Sequence, residues 1–341
     1  MTGVGERYLV VSLGSIGRRH LQNLRRLRPE SQLGIWHLRA SPDGLRLPEG
    51  ADFVFDSAEQ AIAFDPVAAI VAGPASTHLT VARSLAEAGV HLLVEKPLAC
   101  SPDGVAELLD IARQRGINLM TGYNVRFLPS LQVAKECLDG GMIGRVLSVR
   151  AEVGQFLPDW RAGTDYRSGV SARRELGGGA LLELSHELDY LCWMFGMPAR
   201  VTARGGRYSD LEIDVEDVVE ITLEYDSPPR LVNVHLDMVQ RAPHRCCRFI
   251  GSEGTLVWDG ILDRVDAYRV SAAAWTSIAV PALVDRNQMY LDELQHFLES
   301  IRKGTRPIVD GNDGLRALVI AAAARNSMER DVGVELVARV D

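Results

Sequence analysis

From residue 8 onward the chain alternates short apolar runs with stretches of helical periodicity. The pattern predicts strands at 8–13, 33–38, 68–72, 91–94 and 118–121, with helices at 16–27, 77–88 and 102–115 among them. These strands are apolar without alternation, as strands covered on both faces are, and the helices supply the crossovers that parallel strands need. After Gly122 the pattern changes. A helix at 130–138 leads to a strand at 146–153, and a loop rich in Gly, Arg and Ser then runs from 155 to 175, a length that usually marks function or mobility. A helix at 179–195 follows. The next strands, 201–206, 217–225, 231–238, 245–250 and 255–258, alternate polar and apolar positions and are joined by turn signals such as Ser227-Pro228-Pro229 and Gly251-Ser252-Glu253-Gly254. Helices at 286–303, stopped by Gly304, and at 312–329 end the chain. The expected fold is α/β: a doubly wound parallel sheet, then a domain built on a mostly antiparallel sheet.

A chain of 341 residues exceeds one ordinary core, which fits two domains. A hydrophobic content of 47% suits a globular protein, and a net charge of −8 argues against nucleic acid as the main partner. Small molecules are the expected ligands. The five cysteines, Cys100, Cys137, Cys192, Cys246 and Cys247, follow no framework spacing and read as reduced thiols. Adjacent Cys246 and Cys247 fall on opposite faces of a strand, so one is expected in the core and neither as a metal ligand. The chain opens without a signal-peptide pattern, and its apolar runs fall short of membrane-spanning length. The expected location is the cytoplasm, with no membrane partner.

Two short segments carry candidate chemistry. Ser12-Leu13-Gly14-Ser15-Ile16-Gly17 lies between a strand and a helix, where a dinucleotide fingerprint belongs. Ser12 replaces its first glycine. Gly14 and Gly17 keep the two that let backbone approach a pyrophosphate and let the helix pack closely, with Ser15 and Ile16 between them. The second strand of such a unit normally ends in an acid that binds the adenine ribose of NAD, yet Trp36-His37-Leu38-Arg39-Ala40-Ser41 has none. Arg39 and Ser41 stand there instead and suit a 2′-phosphate, which favours NADP(H), with NAD(H) as the alternative. The other segment is Glu95-Lys96-Pro97. Pro97 halts a strand at its carboxyl end, where an open parallel sheet presents its ligand-binding residues, so Lys96 is expected to face that crevice.

Gly14-Ser15-Ile16-Gly17, Gly73-Pro74-Ala75-Ser76-Thr77-His78, Glu95-Lys96-Pro97-Leu98, Asn124-Val125-Arg126-Phe127, Gly177-Gly178-Gly179 and His186 to Asp189 occur in sequence. Their order and spacing resemble the glucose-fructose oxidoreductase, inositol dehydrogenase and rhizopine catabolism (Gfo/Idh/MocA) family over nearly the whole chain. The resemblance implies an N-terminal Rossmann domain over 1–122 and a C-terminal α/β domain over 123–341 with a large open sheet. That sheet would join subunits of a homodimer or homotetramer, and the last helix would pack back on the first domain. The resemblance also implies NAD(P)-dependent oxidation or reduction, usually of a sugar or polyol. Matched residue by residue, Gly14, Gly17, Pro74 and His78 would border the cofactor, and Glu95 and Pro97 would shape the turn carrying Lys96. Lys96 would lie near the nicotinamide and the reacting hydroxyl, and Asn124 near the reacting carbon. Arg126 is a candidate substrate contact. The family's helical histidine corresponds to His186, with Asp189 beyond it. Where the family has an aspartate four residues earlier this chain has Leu182, and Glu183 follows it, on the helical face of His186 if the helix is continuous.

Hydride transfer from a carbinol carbon needs a base for the hydroxyl proton and a donor for the developing carbonyl. Lys96 and His186 can divide these tasks in either order, since an imidazole titrates near neutrality and a lysine is a donor when charged and a base when desolvated. Glu183 is a third candidate catalytic group. The 155–175 loop adds Trp160, Arg161, Tyr166, Arg167, Arg173 and Arg174, an excess of arginine in an acidic protein. Guanidinium groups bind carboxylate or phosphate, and an aromatic face covers a sugar ring. Trp160, Arg167 and Arg173, with Arg126 and His186, are therefore the expected substrate contacts, and an anionic sugar derivative such as a sugar nucleotide is the expected substrate. This segment also resembles relatives in bacterial surface-sugar and nonulosonate biosynthesis. The rival readings are a carbonyl or imine reductase acting on another small molecule, and a non-catalytic nucleotide-sensing regulator. Retention of both Lys96 and His186 weighs against the regulator. The spacing of Glu183, His186 and Asp189 does not suggest a metal site.

Overall fold

The computed structural model describes residues 5–38, 47–161 and 163–336. They form two compact units, Met1–Asn124 with Asp285–Leu315, and Val125–Val284 with Arg316–Asp341. The first unit opens with β1 (Arg7–Val11), α1 (Ser15–Leu27), β2 (Gln32–Trp36), β3 (Phe53–Phe55), α2 (Ala58–Ala63), β4 (Ala68–Val71), α3 (Ala75–Glu87), β5 (His91–Glu95), α4 (Val105–Arg115) and β6 (Leu119–Gly122). All six strands are parallel, in the order β3-β2-β1-β4-β5-β6. The order reverses between β1 and β4, the place where a doubly wound sheet opens a crevice at the carboxyl ends of its strands. Leu9, Val10, Val11, Leu92, Leu93 and Val94 are fully buried, each contributing about 1.5–3 kcal/mol. The apolar runs do not predict β3 or α2, which are too short to show a period. The start of α2 is set by its cap, the Ser57 hydroxyl accepting from the amide of Gln60.

The second unit contributes α5 (Pro129–Asp139), β7 (Val146–Gly154), α6 (Ala180–Glu183), α7 (His186–Phe195), β8 (Arg200–Gly206), β9 (Val218–Asp226), β10 (Pro229–Asp237), β11 (His244–Gly251), β12 (Gly254–Asp259), β13 (Arg264–Arg269) and β14 (Ala274–Ile278). The chain then forms α8 (Gln288–Lys303), α9 (Gly311–Arg330) and β15 (Val334–Glu335). One nine-stranded sheet has the order β14-β13-β12-β11-β7-β10-β9-β8-β15. Only its β7–β10 pair is parallel. Alternation gives the sheet two unlike faces: Val219, Ile221, Leu223, Val232, Val234 and Leu236 are buried on one, while Glu220, Thr222, Asn233 and His235 stand on the other. Cys247 is buried and Cys246 is not, as neighbours on a strand should be. Trp258 ties the sheet to its helices, its indole N–H donating to Ser130 Oγ at 2.8 Å and its ring meeting Tyr190 edge-on at 5.4 Å.

Two features depart from the sequence pattern. The helix expected at 179–195 is two helices, α6 ending at Glu183 and α7 beginning at His186. Glu183 and His186 therefore do not share one helical face. Glu216 fixes the start of α6, its carbonyl accepting from the Ala180 amide and its carboxylate from the Leu181 amide, so α6 has an anchor of its own. The second departure is the grouping of Asp285–Leu315 with the first unit, although the boundary near residue 122 assigns it to the second. The Asn23 and Asn287 side chains exchange hydrogen bonds of 3.3 and 2.8 Å between α1 and the start of α8. Beyond α8 the chain extends the sheet, the Thr121 amide donating to Val309 at 3.1 Å and Met120 bridging Asp310. An apolar stripe announces that a helix packs, but not on which domain. Among the described residues no helix is long and apolar enough to cross a membrane.

Candidate active site

Within the first unit the carboxyl ends of β1 and β4 turn into α1 and α3. Ser12 has φ of 71°, the left-handed conformation that glycine occupies without strain. Its amide donates to the Trp36 carbonyl at 2.9 Å. A Cβ on Gly17 would overlap the Ser12 carbonyl, whereas one on Gly14 would meet nothing within 4 Å. Gly17 is thus required by the packing of α1, while Gly14 leaves the turn open to approach from outside. Gly14 and Ser15 are exposed, Ile16 is half-buried, and the first turn of α1 holds no acidic residue. That helix end suits an anion, and the set fits a dinucleotide pyrophosphate. Arg39 and Ser41, expected to select the 2′-phosphate, lie outside the described residues.

Lys96 is half-buried in the turn that follows β5. Its amide donates to Glu95 Oε2 at 3.3 Å, and the other oxygen of Glu95 meets Nε2 of the fully buried His20 at 2.6 Å. From α3, buried His78 places Nδ1 2.8 Å from the Pro97 carbonyl and Nε2 2.9 Å from the Gly73 carbonyl. Burial holds the His78 imidazole below its ordinary pKa, outweighing the two carbonyls that favour its charged form. A neutral ring donates to only one of them. Pro74 stands at the N-terminal cap of α3. Asn124 is buried and hydrogen-bonded to Tyr290 of α8. Burial, reinforced by the Glu95 charge, raises the pKa of the Tyr290 phenol, and the Arg19 guanidinium lies 4.4 Å from its ring centre. The predicted residues Glu95, Lys96, Pro74, His78 and Asn124 thus belong to one unit, with His20 and Tyr290 as unpredicted partners. The available signal for His20 is its place on the buried stripe of Gly17, Leu21 and Leu24.

The remaining predicted residues belong to the second unit. His186 is the first residue of α7, and Glu183 accepts from the hydroxyl of buried Ser171 at 3.0 Å. Ser171 lines a cavity of about 130 Å³ with Leu157, Trp160, Arg161, Tyr166 and Ser168. Trp160 is therefore at a cavity, its indole N–H donating to the Gln155 carbonyl at 2.9 Å. Arg167 and Arg173 are not in that lining. Arg167 pairs with Asp165 at 2.8 Å and Glu212 at 3.2 Å, and Arg173 donates to the Arg167 carbonyl at 2.8 Å. The Arg167 side chain and amide, by hydrogen bonding to Asp165, hold that carboxyl below its ordinary pKa. Arg126 is buried and bonds Asp189 through Nε at 2.8 Å and Nη2 at 2.6 Å. On the same helix Glu187 takes Arg245 at 2.9 Å.

Residues 6–123 match the family model described as oxidoreductase family, NAD-binding Rossmann fold. Residues 135–336 match its companion, described as oxidoreductase family, C-terminal alpha/beta domain. The chain is 26% identical over 341 residues to the myo-inositol 2-dehydrogenase of Thermotoga maritima, covering 96% of this chain and 97% of the relative. It is 27% identical over 297 residues to D-xylose 1-dehydrogenase (NADP(+)) 2 of Haloferax volcanii, covering 84% and 86%. Its fold is similar to the crystal structure of the WlbA dehydrogenase from Bordetella pertussis in complex with NADH and UDP-GlcNAcA. The TM-score is 0.81 at 22% identity, covering 98% of this chain and 99% of that one.

Proposed function

Because this chain belongs to the Gfo/Idh/MocA oxidoreductase family, we propose that it is an NAD(P)-dependent dehydrogenase acting on a CH–OH carbon of a sugar, a polyol or an anionic sugar derivative. The observation that carries this reading is the Lys96 turn, set at the carboxyl end of β5 in the same unit as the dinucleotide turn and held by two buried histidines. When bound, the nicotinamide supplies the hydride chemistry. The chain does the rest. The Gly14–Gly17 turn holds the pyrophosphate, and Lys96 and His186 divide polarisation of the reacting oxygen and transfer of its proton. Glu183, anchored by Ser171, is the third polar group of the reaction.

The inositol and xylose dehydrogenases among the relatives support a sugar or polyol substrate. Trp160 and Arg161 at one cavity support a ring with an anionic group, as does the sugar nucleotide acid bound by the WlbA dehydrogenase. Arg39 and Ser41 support NADP(H) over NAD(H). The enzyme works in the cytoplasm as a homodimer or homotetramer assembled on the polar face of the nine-stranded sheet.

The test is a titration with NADPH and NADH followed by nicotinamide fluorescence, for the wild type and Arg39→Asp. Initial rates with myo-inositol, D-xylose and UDP-GlcNAcA are then compared between the wild type and Lys96→Ala. NADPH should bind more tightly and the variant should reverse the order; Lys96→Ala should lose turnover while still binding cofactor. Equal affinities would remove the NADP preference. Full turnover in Lys96→Ala would remove the catalytic role, and cofactor binding without turnover of any substrate would favour the sensing regulator.

A further inference from the structure

His20, Glu95 and Glu293 are buried together in the first unit, each with a ligating atom within 4.8 Å of the others. Burying an imidazole and two carboxylates is costly unless the groups bond one another, so their presence calls for a reason. The reason lies in what Glu95 joins. One of its oxygens accepts from the Lys96 amide at 3.3 Å and the other meets His20 Nε2 at 2.6 Å. A third side is closed by β6, where a Cβ on Gly122 would come within 3.0 Å of Glu95 Oε2. His20 itself is wedged edge-on against Tyr290, ring centres 6.3 Å apart. The carboxylate therefore has a single seat, and His20 sets it.

His20 stands one helical turn beyond Gly17, on the helix whose first turn forms the dinucleotide site. A helix rises about 1.5 Å per residue and is stiff over so short a span. We propose that His20 is a positioning residue: through Glu95 it fixes the Lys96 peptide to α1, so that the lysine keeps a constant place relative to the cofactor held at the start of that helix. The inference rests on the reading of Lys96 as a residue of the reaction.

The chain has only three lysines, Lys96, Lys135 and Lys303. Lys135 and Lys303 each pair with an acid four residues on or back, Asp139 and Glu299, and serve as internal standards. The full-length protein, with NADPH present, is labelled with trace acetic anhydride and the acetylation at each lysine is measured by mass spectrometry. In His20→Leu the labelling of Lys96 relative to the other two should rise by about threefold or more. His20→Gln, whose side-chain amide can still donate to Glu95, should return it to the wild-type ratio. An unchanged ratio in a His20→Leu protein with native near-ultraviolet circular dichroism overturns the proposal, and so does an equal rise at all three lysines, the signature of general loosening. If His20→Leu does not fold, Glu95→Gln carries the same test, because a glutamine keeps one oxygen and sets an NH2 donor at the place of the other, whereas His20 and the Lys96 N–H each use a different oxygen of Glu95. The ratio needs no substrate, so retained turnover in Lys96→Ala would defeat the proposed function while leaving the His20 result to stand or fall by itself.

Discussion

Arg126 and Asp189 form a bidentate ion pair with 3% and 2% of their side chains exposed. Deleting one partner of such a pair leaves the other charge buried and alone, at about 3–5 kcal/mol. Arg126→Ala should therefore lower the melting temperature by roughly 10 °C. The double change Arg126→Met with Asp189→Leu should recover most of that loss, since apolar replacement of both partners removes the desolvation cost. A variant that melts like the wild type but shows a raised KM would instead make Arg126 a substrate contact.

The two glycines of the dinucleotide turn should respond differently. Gly17→Ala forces a Cβ into the Ser12 carbonyl and should destabilise the protein by several kcal/mol, read as a large fall in melting temperature. Gly14→Ala meets nothing within 4 Å and should leave melting nearly unchanged. Its effect should show in NADPH affinity, weakened about tenfold or more by the methyl group standing where the pyrophosphate approaches. If Gly14→Ala binds NADPH as well as the wild type, the pyrophosphate does not use this turn.

On the polar face of the nine-stranded sheet His235 lies 3.0 Å from Asp237 and 2.6 Å from Glu220. Its pKa is raised to about 9, chiefly by the hydrogen bond to Asp237, with the Glu220 contact adding to it against the opposing effect of burial. The folded state thus favours the imidazolium. Its stabilisation is complete below the unfolded value of about 6.5 and disappears as pH rises through 9. Partial exposure screens the pair to about 1 kcal/mol. The melting difference between the wild type and His235→Asn should be largest at pH 6 and vanish by pH 10, and the His235 ring resonances should titrate near 9. A midpoint near 6.5 would contradict the contact.

Much of this was readable before any coordinates. Apolar runs at 8–13, 68–72 and 91–94 became β1, β4 and β5 because strands covered on both faces leave an unbroken signal. Alternation located β7 to β12 for the complementary reason, but β14, lying at the sheet edge with residues such as exposed Trp275, carries a weaker one. The break between α6 and α7 was hidden because apolar periodicity runs across Leu184 and Ser185 without interruption. Spacing placed Lys96 at the end of a strand. Asp165 stands two positions from Arg167, but Asp189, 63 positions from Arg126, and Glu212, 45 positions from Arg167, follow from the tertiary fold and are invisible to any local pattern.

Residues Met1–Asn124 require Asp285–Leu315 to complete their unit, so the nucleotide end cannot be finished until Leu315 has been made. At ordinary translation speeds the intervening 125–284 take roughly 10–30 s to emerge. Throughout that interval the surface of α1 that receives α8, and the edge of β6 that pairs with Val309, have no cover. Nascent chains from which residue 285 has not yet emerged should accordingly be protease-sensitive in their first 124 residues and bound by chaperones, and protection should appear only when residues through 315 have left the ribosome. Cofactor capture then becomes a late event in biosynthesis, open only to chains whose residues through 315 have emerged.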